Sequence, residues 1–274
     1  MANYVAETGQ SLTRGRGAQA IRNDIMGTDA NTSDAMQADA QLIDDLVSAN
    51  HILYDLGVVD AFGHVSVRHD NRPDRFLLAR NMAPGTVTAA DILEYTLDSE
   101  PVNARGAKVY AERFIHGEIF RARPDVVSVV HSHSHAIVPM TTVKSVPLKA
   151  IFHMAGFIGE GAPIFDIRDV AGDGTDMLIR DAKLGAALAK SFGSHSIVLM
   201  RGHGSTVVAP TLQRAVYRAV YAELNARYQT AAMQMGDVTY LSAEEARTCA
   251  TNIESHIQRP WDLWKAQARE KRRT

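Results

Sequence analysis

The sequence has a single cysteine, Cys249, among its 274 residues. One cysteine excludes an intrachain disulfide framework and a zinc module built on cysteine ligands, and it suits a reducing compartment. The sequence also lacks an apolar run long enough to span a membrane, and it does not begin with the apolar stretch of a signal peptide. We therefore expect a cytoplasmic protein.

An excess of charge of either sign is also missing. The 29 basic and 31 acidic residues give a formal net charge of −2. Such a chain has no global field with which to bind nucleic acid or an anionic membrane. Its 46% hydrophobic and 22% charged residues are typical of a globular protein. We expect a folded protein that binds neither nucleic acid nor a membrane.

Hydrophobic periodicity predicts helices mixed with strands. Helical spacing indicates helices near 42–56, 107–121, 181–191 and 212–235, and short apolar runs indicate strands near 65–67, 76–78, 95–97, 126–130 and 196–200. No repeat or linker interrupts this pattern, and neither the dinucleotide-binding nor the P-loop glycine spacing is present. The pattern favours an α/β/α sandwich in one domain.

The domain organisation that we expect has three parts. A loose N-terminal arm covers 1–32, the α/β domain covers 33–245, and a helical, basic C-terminal tail covers 246–274. The end of that tail, residues 265–274, is expected to be solvated because it is strongly basic.

Histidine placement gives the first indication of chemistry. The apolar strand at 126–130 leads directly into His131, Ser132 and His133. Residues i and i+2 of a strand project to the same face, so His131 and His133 can reach one ion. Imidazole ligands suit Zn, Mn, Fe or Co. On this observation alone, a pair of histidines at a polar strand end without metal is an equally good interpretation.

Two further features favour the metal site. His203 follows the apolar strand at 196–200 and lies between Gly202 and Gly204, which allow the backbone to approach closely. Glu112 lies four residues before His116, on the same face of a predicted helix. Each feature is weak alone, since a Glu on an amphipathic helix is usually a solvated charge.

The order of these motifs resembles the class II aldolase/adducin family, typified by fuculose-phosphate aldolase. The motifs are G-x-V-S-V-R at 63–68, Glu112, an R-P-D turn at 123–125, the H-x-H of His131 and His133, and the H-G that begins at His203. The resemblance runs from about residue 40 to residue 240. It implies a single-domain, three-layer α/β/α sandwich with a central, largely antiparallel sheet.

The same resemblance implies roles for individual residues. His131, His133 and His203 match the family's metal-binding histidines, and Glu112 matches an acidic residue that serves as a metal ligand or transfers protons. Family members are typically homotetramers with active sites between subunits. This implies that a C-terminal residue such as Tyr240 acts in a neighbouring subunit's site.

Departures from the sugar-phosphate aldolases point to another substrate. Their G-N-x-S turn reads Gly63-His64-Val65-Ser66 here, 79–84 lacks their S/T-G loop, and their serine pair before the Glu is Tyr110-Ala111. These changes remove small phosphate-binding donors. The replacements resemble a decarboxylase branch of the family, which includes 3-hydroxy-2-methylpyridine-4,5-dicarboxylate decarboxylase and dihydroxyphthalate decarboxylases.

The resemblance therefore implies a metal-dependent lyase that decarboxylates a hydroxylated aromatic or heteroaromatic (di)carboxylate in aromatic catabolism. One divalent ion per subunit, with Mn preferred over Zn, Fe or Co, would chelate the ring hydroxyl and the adjacent carboxylate. A ring carbon would then be protonated before carbon dioxide leaves. Glu112 is the leading proton-transfer residue, and His64 and His153 are second candidates. Arg80 and Arg201 are candidates for binding the anionic substrate.

Three alternatives stay open from the sequence. The first is an aldolase or dehydratase of a non-phosphorylated carbonyl compound, and the second is a non-haem iron oxygenase of an aromatic acid. The third is an adducin-like binding protein without catalysis. His153 also has a second interpretation, as a core histidine with satisfied hydrogen bonds.

Overall fold

The computed structural model describes residues 38–102 and 104–272, so the predicted arm at 1–32 lies outside the described residues. The helices are α1 (Ala40–Asp55), α2 (Arg113–Ala122), α3 (Ile137–Met140), α4 (Arg168–Ala171), α5 (Ala182–Ser191), α6 (Leu212–Met235), α7 (Ala243–Glu254) and α8 (Gln258–Lys271). The strands are β1 (His64–Arg68), β2 (Arg75–Ala79), β3 (Ile92–Thr96), β4 (Ser128–Ser132), β5 (Ile164–Phe165), β6 (Ile197–Met200) and β7 (Gly204–Ala209). None of these helices has the length and apolar character needed to cross a membrane.

The strands form one seven-stranded sheet in the order β3-β2-β1-β4-β7-β6-β5. Every neighbouring pair is antiparallel except β5 and β6, which are parallel. The predicted, largely antiparallel sheet is confirmed.

Side chains alternate between the two faces of this sheet, so each face has its own apolar core. In β7, Val207 and Ala209 pack on one face with α1, α6 and the C-terminal helices. Val208, which lies between them, packs on the other face with α2 and α5. Helices cover both faces, and the predicted three-layer α/β/α sandwich is confirmed.

The strand order brings three chain segments to one edge of the sheet. β1 runs antiparallel to β4 with His64 opposite His131, and β7 runs antiparallel to β4 with Ser205 opposite Ser132. The start of β1, the end of β4 and the turn between β6 and β7 therefore meet. Hydrogen bonds between the strands hold the backbone in this register, so the Cα atoms at that edge, from which the side chains project, have fixed positions.

β7 was not among the predicted strands, and it follows β6 after a short turn. Met200 pairs with Gly204 across this turn. Gly202 has a φ of +63°, a left-handed conformation that glycine adopts without steric cost. A Cβ on Gly204 would lie 2.0 Å from the Ser132 carbonyl oxygen. Glycine at 204 therefore permits the close approach of β7 to β4.

One helix begins later than its periodicity indicated. The prediction was 107–121, whereas α2 begins at Arg113 with Glu112 as its N-cap residue. Before this point, the Tyr110 hydroxyl donates a 2.5 Å hydrogen bond to the Met82 carbonyl oxygen. This contact ties the segment to the chain that follows β2, so the helical pattern is not realised there.

The C-terminal helices fold back on the domain. α7 spans the proposed boundary at 245, and α8 packs against α1 with Trp261 and Ala268 in the core. Lys265 is 8% exposed and lies 2.8 Å from Asp44 of α1. The solvated basic tail was expected at 265–274, and of its described residues Lys265 and Ala268 are buried whereas Arg269 and Lys271 are exposed.

Candidate metal centre

Four side chains converge at the edge of the sheet where β1, β4 and the β6–β7 turn meet. His131 lies in β4, His133 follows that strand, His203 lies in the β6–β7 turn, and Glu112 precedes α2. One potential ligand atom of each residue lies within 4.8 Å of those of the other three. We call these four residues the His/Glu cluster.

The imidazole Nε2 atoms of the cluster are close neighbours. Nε2 of His133 lies 3.2 Å from Nε2 of His131 and 2.9 Å from Nε2 of His203. Oε2 of Glu112 lies 3.6 Å from Nε2 of His131 and 3.5 Å from Nε2 of His203. Two nitrogens bound to one ion at about 2.1 Å lie about 3 Å apart when they subtend a right angle. The observed separations therefore fit donors to a single ion.

The outer ring nitrogens of His203 and His131 have partners that select one tautomer of each neutral ring. Nδ1 of His203 lies 3.0 Å from the Met177 carbonyl oxygen, which can only accept, so a neutral His203 has a bare Nε2. Nδ1 of His131 faces the Thr206 hydroxyl at 3.4 Å, and that hydroxyl donates to Met200 Sδ at 3.3 Å. The Thr206 oxygen can thus accept from Nδ1–H of His131, which leaves Nε2 of His131 bare as well. Partners of this kind orient metal-binding histidines in proteins.

A shared cation satisfies this arrangement. His133 can donate one proton from Nε2, yet it has a bare nitrogen at hydrogen-bond distance on each of two sides. A divalent ion would accept lone pairs from all three nitrogens, and Glu112 Oε2 would be either a fourth donor or a free oxygen beside the ion. Three imidazoles and one carboxylate suit Zn, Mn, Fe or Co. The donor set therefore fits a divalent metal ion.

Burial favours the neutral form of two of these imidazoles, His131 and His133. Desolvation is the largest cause that holds the pKa of His131 well below its ordinary 6.5, and neighbouring His203 and His64 lower it further. The pKa of His133 is lowered in the same way, by burial first and then by His203. A metal ion binds the neutral form of imidazole, so the lowered pKa values favour ligation near neutral pH.

The loop before α5 orients two members of the cluster. The Ile179 N–H donates to Oε1 of Glu112 at 3.0 Å, and the Met177 carbonyl accepts from His203. Because Oε1 is held, Oε2 is the oxygen that faces the histidines. Met177 has a φ of +69°, a conformation that costs free energy for a residue with a Cβ. This strain lies in the loop that positions the cluster.

Two further histidines are buried beside the cluster. The ring centroid of His64 lies 5.0 Å from that of His131. Nδ1 of His64 lies 2.6 Å from Nε2 of His116, and Nδ1 of His116 lies 2.5 Å from Oγ of Ser66. Of the predicted proton-transfer residues, the structure therefore brings Glu112 and His64 together.

The third proton-transfer candidate, His153, lies in a different place. It is exposed and begins a short 3-10 segment, His153–Ile158. It lines a groove of about 590 Å³ together with Tyr217, His256 and Trp264. No hydrogen bond or ion pair within 38–102 and 104–272 joins it to the His/Glu cluster. The alternative interpretation of His153 as a core histidine is wrong, because its side chain is exposed.

The three predicted substrate-binding residues have partners outside the cluster. Nε of Arg80 lies 2.6 Å from Asp91, and Nε of Arg201 lies 2.8 Å from Asp166. The Tyr240 hydroxyl accepts a 3.2 Å hydrogen bond from a side chain of α6. Each arginine is already paired with a carboxylate, so it would bind an anionic substrate by exchanging that partner.

The cluster approaches solvent at His133. Glu112 and His131 are buried, whereas His133 is partly exposed and lines a cavity of about 390 Å³ with Asp60. The Phe62 ring is 66% exposed, and its centroid lies 6.3 Å from that of His133. An accessible ring next to a candidate ligand offers a surface on which an aromatic compound can pack.

Sequence reasoning missed the residues that hold the cluster in place. Met177 and Ile179 act through a backbone carbonyl and a backbone N–H. Every residue except proline has both groups, so no sequence signal distinguishes these two. Thr206 lies in β7, the strand that was not predicted. His116 did carry a signal, because a histidine on the apolar face of an amphipathic helix needs a buried partner.

Comparison with known proteins gives a consistent picture. Residues 44–230 match the family described as the class II aldolase and adducin N-terminal domain. The chain is 39% identical over 241 residues to decarboxylase tropJ of Talaromyces stipitatus, with 80% of this chain and 90% of that protein covered. It is 30% identical over 186 residues to 3,4-dihydroxyphthalate decarboxylase of a Terrabacter species, with 62% and 72% covered. An aldolase II superfamily protein from Pseudomonas syringae superposes with a TM-score of 0.72 at 16% identity, covering 88% of this chain and 98% of that one.

Proposed function

This chain belongs to the class II aldolase and adducin family, as its motifs predicted, and we propose that it is a metal-dependent decarboxylase of a hydroxylated aromatic or heteroaromatic carboxylate. The expectation of a lyase is confirmed by relatives that are decarboxylases. The observation that carries the proposal is a buried His/Glu cluster in a chain that is 39% identical to a decarboxylase over most of its length.

One divalent ion per subunit is the proposed cofactor, with His131, His133 and His203 as its ligands. Mn is our preference over Zn, Fe and Co, for a site that turns over an oxygen-rich substrate. When bound, such an ion supplies a Lewis acid for the negative charge that develops on substrate oxygen. A ring hydroxyl and its neighbouring carboxylate give the substrate two oxygens that suit this site.

Glu112 is the proposed proton donor. Because Ile179 holds Oε1, Oε2 is the oxygen free to carry a proton towards the substrate. The proton is delivered to the ring carbon that bears the leaving carboxylate. The bond from this carbon to the carboxylate then breaks, its electron pair restores the aromatic ring, and carbon dioxide leaves. A carboxyl in a buried site can be tuned for this role.

Arg80, Arg201 and Tyr240 stay proposals for binding the rest of the substrate. The two arginines supply the positive charge that a dianion requires. A second carboxylate of the substrate would compete with Asp91 or Asp166 for them. Tyr240 would act in the site of a neighbouring subunit.

We further propose a homotetramer whose active sites lie between subunits. The end of α6 exposes apolar side chains that a monomer would leave in water: Tyr228 is 47%, Met233 39% and Met235 84% exposed. Exposed apolar patches of this kind often mark contacts between proteins. Light scattering of the active enzyme is expected to give four times the chain mass. A mass of one subunit at micromolar concentration with full activity would exclude this assembly.

An assay of hydroxy-aromatic mono- and dicarboxylates tests the proposed reaction. A chelator first removes any bound metal from the protein. Separate samples are then loaded with Mn, Zn, Fe or Co and supplied with each acid, in the presence and absence of oxygen. We expect stoichiometric carbon dioxide release that needs a metal and consumes no oxygen. Oxygen uptake would favour the iron oxygenase, and an aldehyde or dehydrated product from a carbonyl compound would favour the aldolase or dehydratase.

A further inference from the structure

His116 is a buried imidazole that the proposed reaction leaves without a role. It is 0% exposed, and both ring nitrogens have a hydrogen-bond partner: Nε2 faces Nδ1 of His64 at 2.6 Å, and Nδ1 faces Oγ of Ser66 at 2.5 Å. Burial lowers the pKa of His116 to about 3. A neutral imidazole carries one proton, so only one of these nitrogens can donate.

The direction of this hydrogen-bond chain determines which nitrogen of His64 carries the proton. If His116 donated from Nδ1, then Ser66 would accept, and its own hydroxyl proton would have no acceptor among the described residues. Ser66 is 0% exposed, so water does not supply that acceptor. A buried donor without a partner costs about 1–3 kcal/mol.

The opposite direction gives the hydroxyl of the fully buried Ser66 an acceptor, and the one donor without a partner among the described residues is then on His64, beside His131 of the His/Glu cluster. Ser66 donates to Nδ1 of His116, Nε2–H of His116 donates to Nδ1 of His64, and the single proton of a neutral His64 is then on Nε2. The neutral form of His64 is the relevant one, because its ring is 4% exposed, packs against the rings of Tyr110, His116 and His131, and forms no ion pair among the described residues.

We propose that Ser66 and His116 are positioning residues that hold His64 as an Nε2–H donor towards an oxygen of the aromatic hydroxy-carboxylate. His64 is 4% exposed, and its ring lies beside His131 of the His/Glu cluster. A neutral imidazole that donates in a buried site stabilises negative charge on substrate oxygen without itself changing charge. This inference rests on the proposed function and deepens it. It also removes His64 as the base or acid of the reaction and leaves proton transfer to Glu112.

The tautomer can be observed directly. A neutron diffraction structure of the full, Zn-loaded protein is expected to show deuterium on Nε2 of His64, on Nε2 of His116 and on Oγ of Ser66 towards His116. Deuterium on Nδ1 of His64 would overturn the inference. This result does not depend on decarboxylation, so it stands apart from a failure of the proposed function in the substrate assay.

Two substitutions of His116 separate positioning from packing. In His116→Gln the side-chain amide can still donate to His64, whereas His116→Phe keeps ring volume without a donor. Loss of one hydrogen bond to a charged group corresponds to about a 10- to 100-fold effect. We expect the kcat/KM of His116→Phe to fall about 10- to 100-fold with metal content unchanged. We expect His116→Gln to retain most of the kcat/KM of the parent. Equal losses in the two variants, or no loss in either, would overturn the proposal.

Ser66→Ala gives the second arm, since it leaves both imidazoles in place and removes the group that sets the direction. We expect a smaller loss of kcat/KM, again with full metal occupancy, and partial deuterium occupancy on each of the two ring nitrogens of the neutral His64 in its neutron structure. His51→Gln is the matched control. His51 is a partly buried histidine whose Nε2 lies 2.8 Å from the Val87 carbonyl oxygen, with no contact to His64 or His116. An unchanged tautomer in Ser66→Ala would contradict the role of Ser66.

Discussion

Two histidine-bearing regions of this protein differ sharply in what surrounds the rings. At the sheet edge, Nε2 atoms of three histidines lie 2.9 and 3.2 Å apart, and burial lowers the pKa of His131 and His133. In the groove beside α7 and α8, His153 and His256 are exposed. There, Nδ1 of His256 contacts residues close to it in sequence, the Ser255 hydroxyl and the Asn252 carbonyl oxygen.

Histidines converge on one point only where a rigid backbone holds them. At the sheet edge, backbone ladders hold β1, β4 and β7, and second partners orient the rings of His131 and His203. In the groove, the rings come from a 3-10 segment and the end of a helix, and water can satisfy them. The following predictions test how far chemistry is confined to the first region.

The largest effect is expected from removal of a metal ligand. His131→Ala and His203→Ala should each lose the bound ion and all measurable turnover, because the remaining donors are too few to hold it. Elemental analysis gives the metal content, and circular dichroism checks the fold. His195→Ala, at an exposed position, is the control. Full metal occupancy in both ligand variants would refute the assignment.

Glu112→Gln is expected to give the next largest effect. The amide keeps the shape and the hydrogen bond from Ile179 but cannot deliver a proton, so turnover should fall about 100- to 10,000-fold with metal bound. If Glu112 is instead a fourth ligand, the ion should loosen and added metal should restore much of the rate. Glu118→Gln, on the same helix and 3.5 Å from Arg121, controls for loss of a carboxylate. Unchanged turnover in metal-replete Glu112→Gln would reject both roles.

The third prediction concerns stability rather than turnover. The pKa of His116 is about 3 in the fold and 6.5 ordinarily, so between these values the unfolded chain binds a proton that the fold excludes. The free energy of unfolding therefore falls as pH falls through this window, with His116 contributing at most about 1.4 kcal/mol per pH unit. His116→Gln should remove this contribution. Urea unfolding of the parent protein and of His116→Gln, both stripped of metal with a chelator and at equal concentration, measures this contribution between pH 4 and 6. Parallel pH profiles of the two proteins would contradict a buried, neutral His116.

The smallest effect is expected in the second region. His153→Gln should keep turnover and metal content within about twofold of the parent, as is usual for an exposed substitution. A 100-fold loss of kcat with metal retained would break the comparison. It would show that a neighbouring subunit brings this groove to the His/Glu cluster, and it would restore His153 as a proton-transfer residue.

Several elements could be predicted because their signals are local. The boundaries of α6 agree with the predicted 212–235, since Thr211 caps its start and Gly236 ends it. The H-x-H pair was located because an apolar strand leads into it. β7 could not be predicted in this way, because glycines flank its start and its close approach to β4 is a tertiary contact.

The amino-acid sequence by itself determined the ligand types, their order along the chain and the family. These properties depend on residue identity and on strand and helix periodicity, which act over a few residues. The tertiary structure alone decided which nitrogen of His131 and of His203 is bare and which oxygen of Glu112 faces the cluster. Those states follow from hydrogen bonds between residues far apart in the chain, such as His203 with Met177, 26 residues away, and His131 with Thr206, 75 residues away. A hydrogen bond has a direction only when both partners are in place, and the fold is what places them.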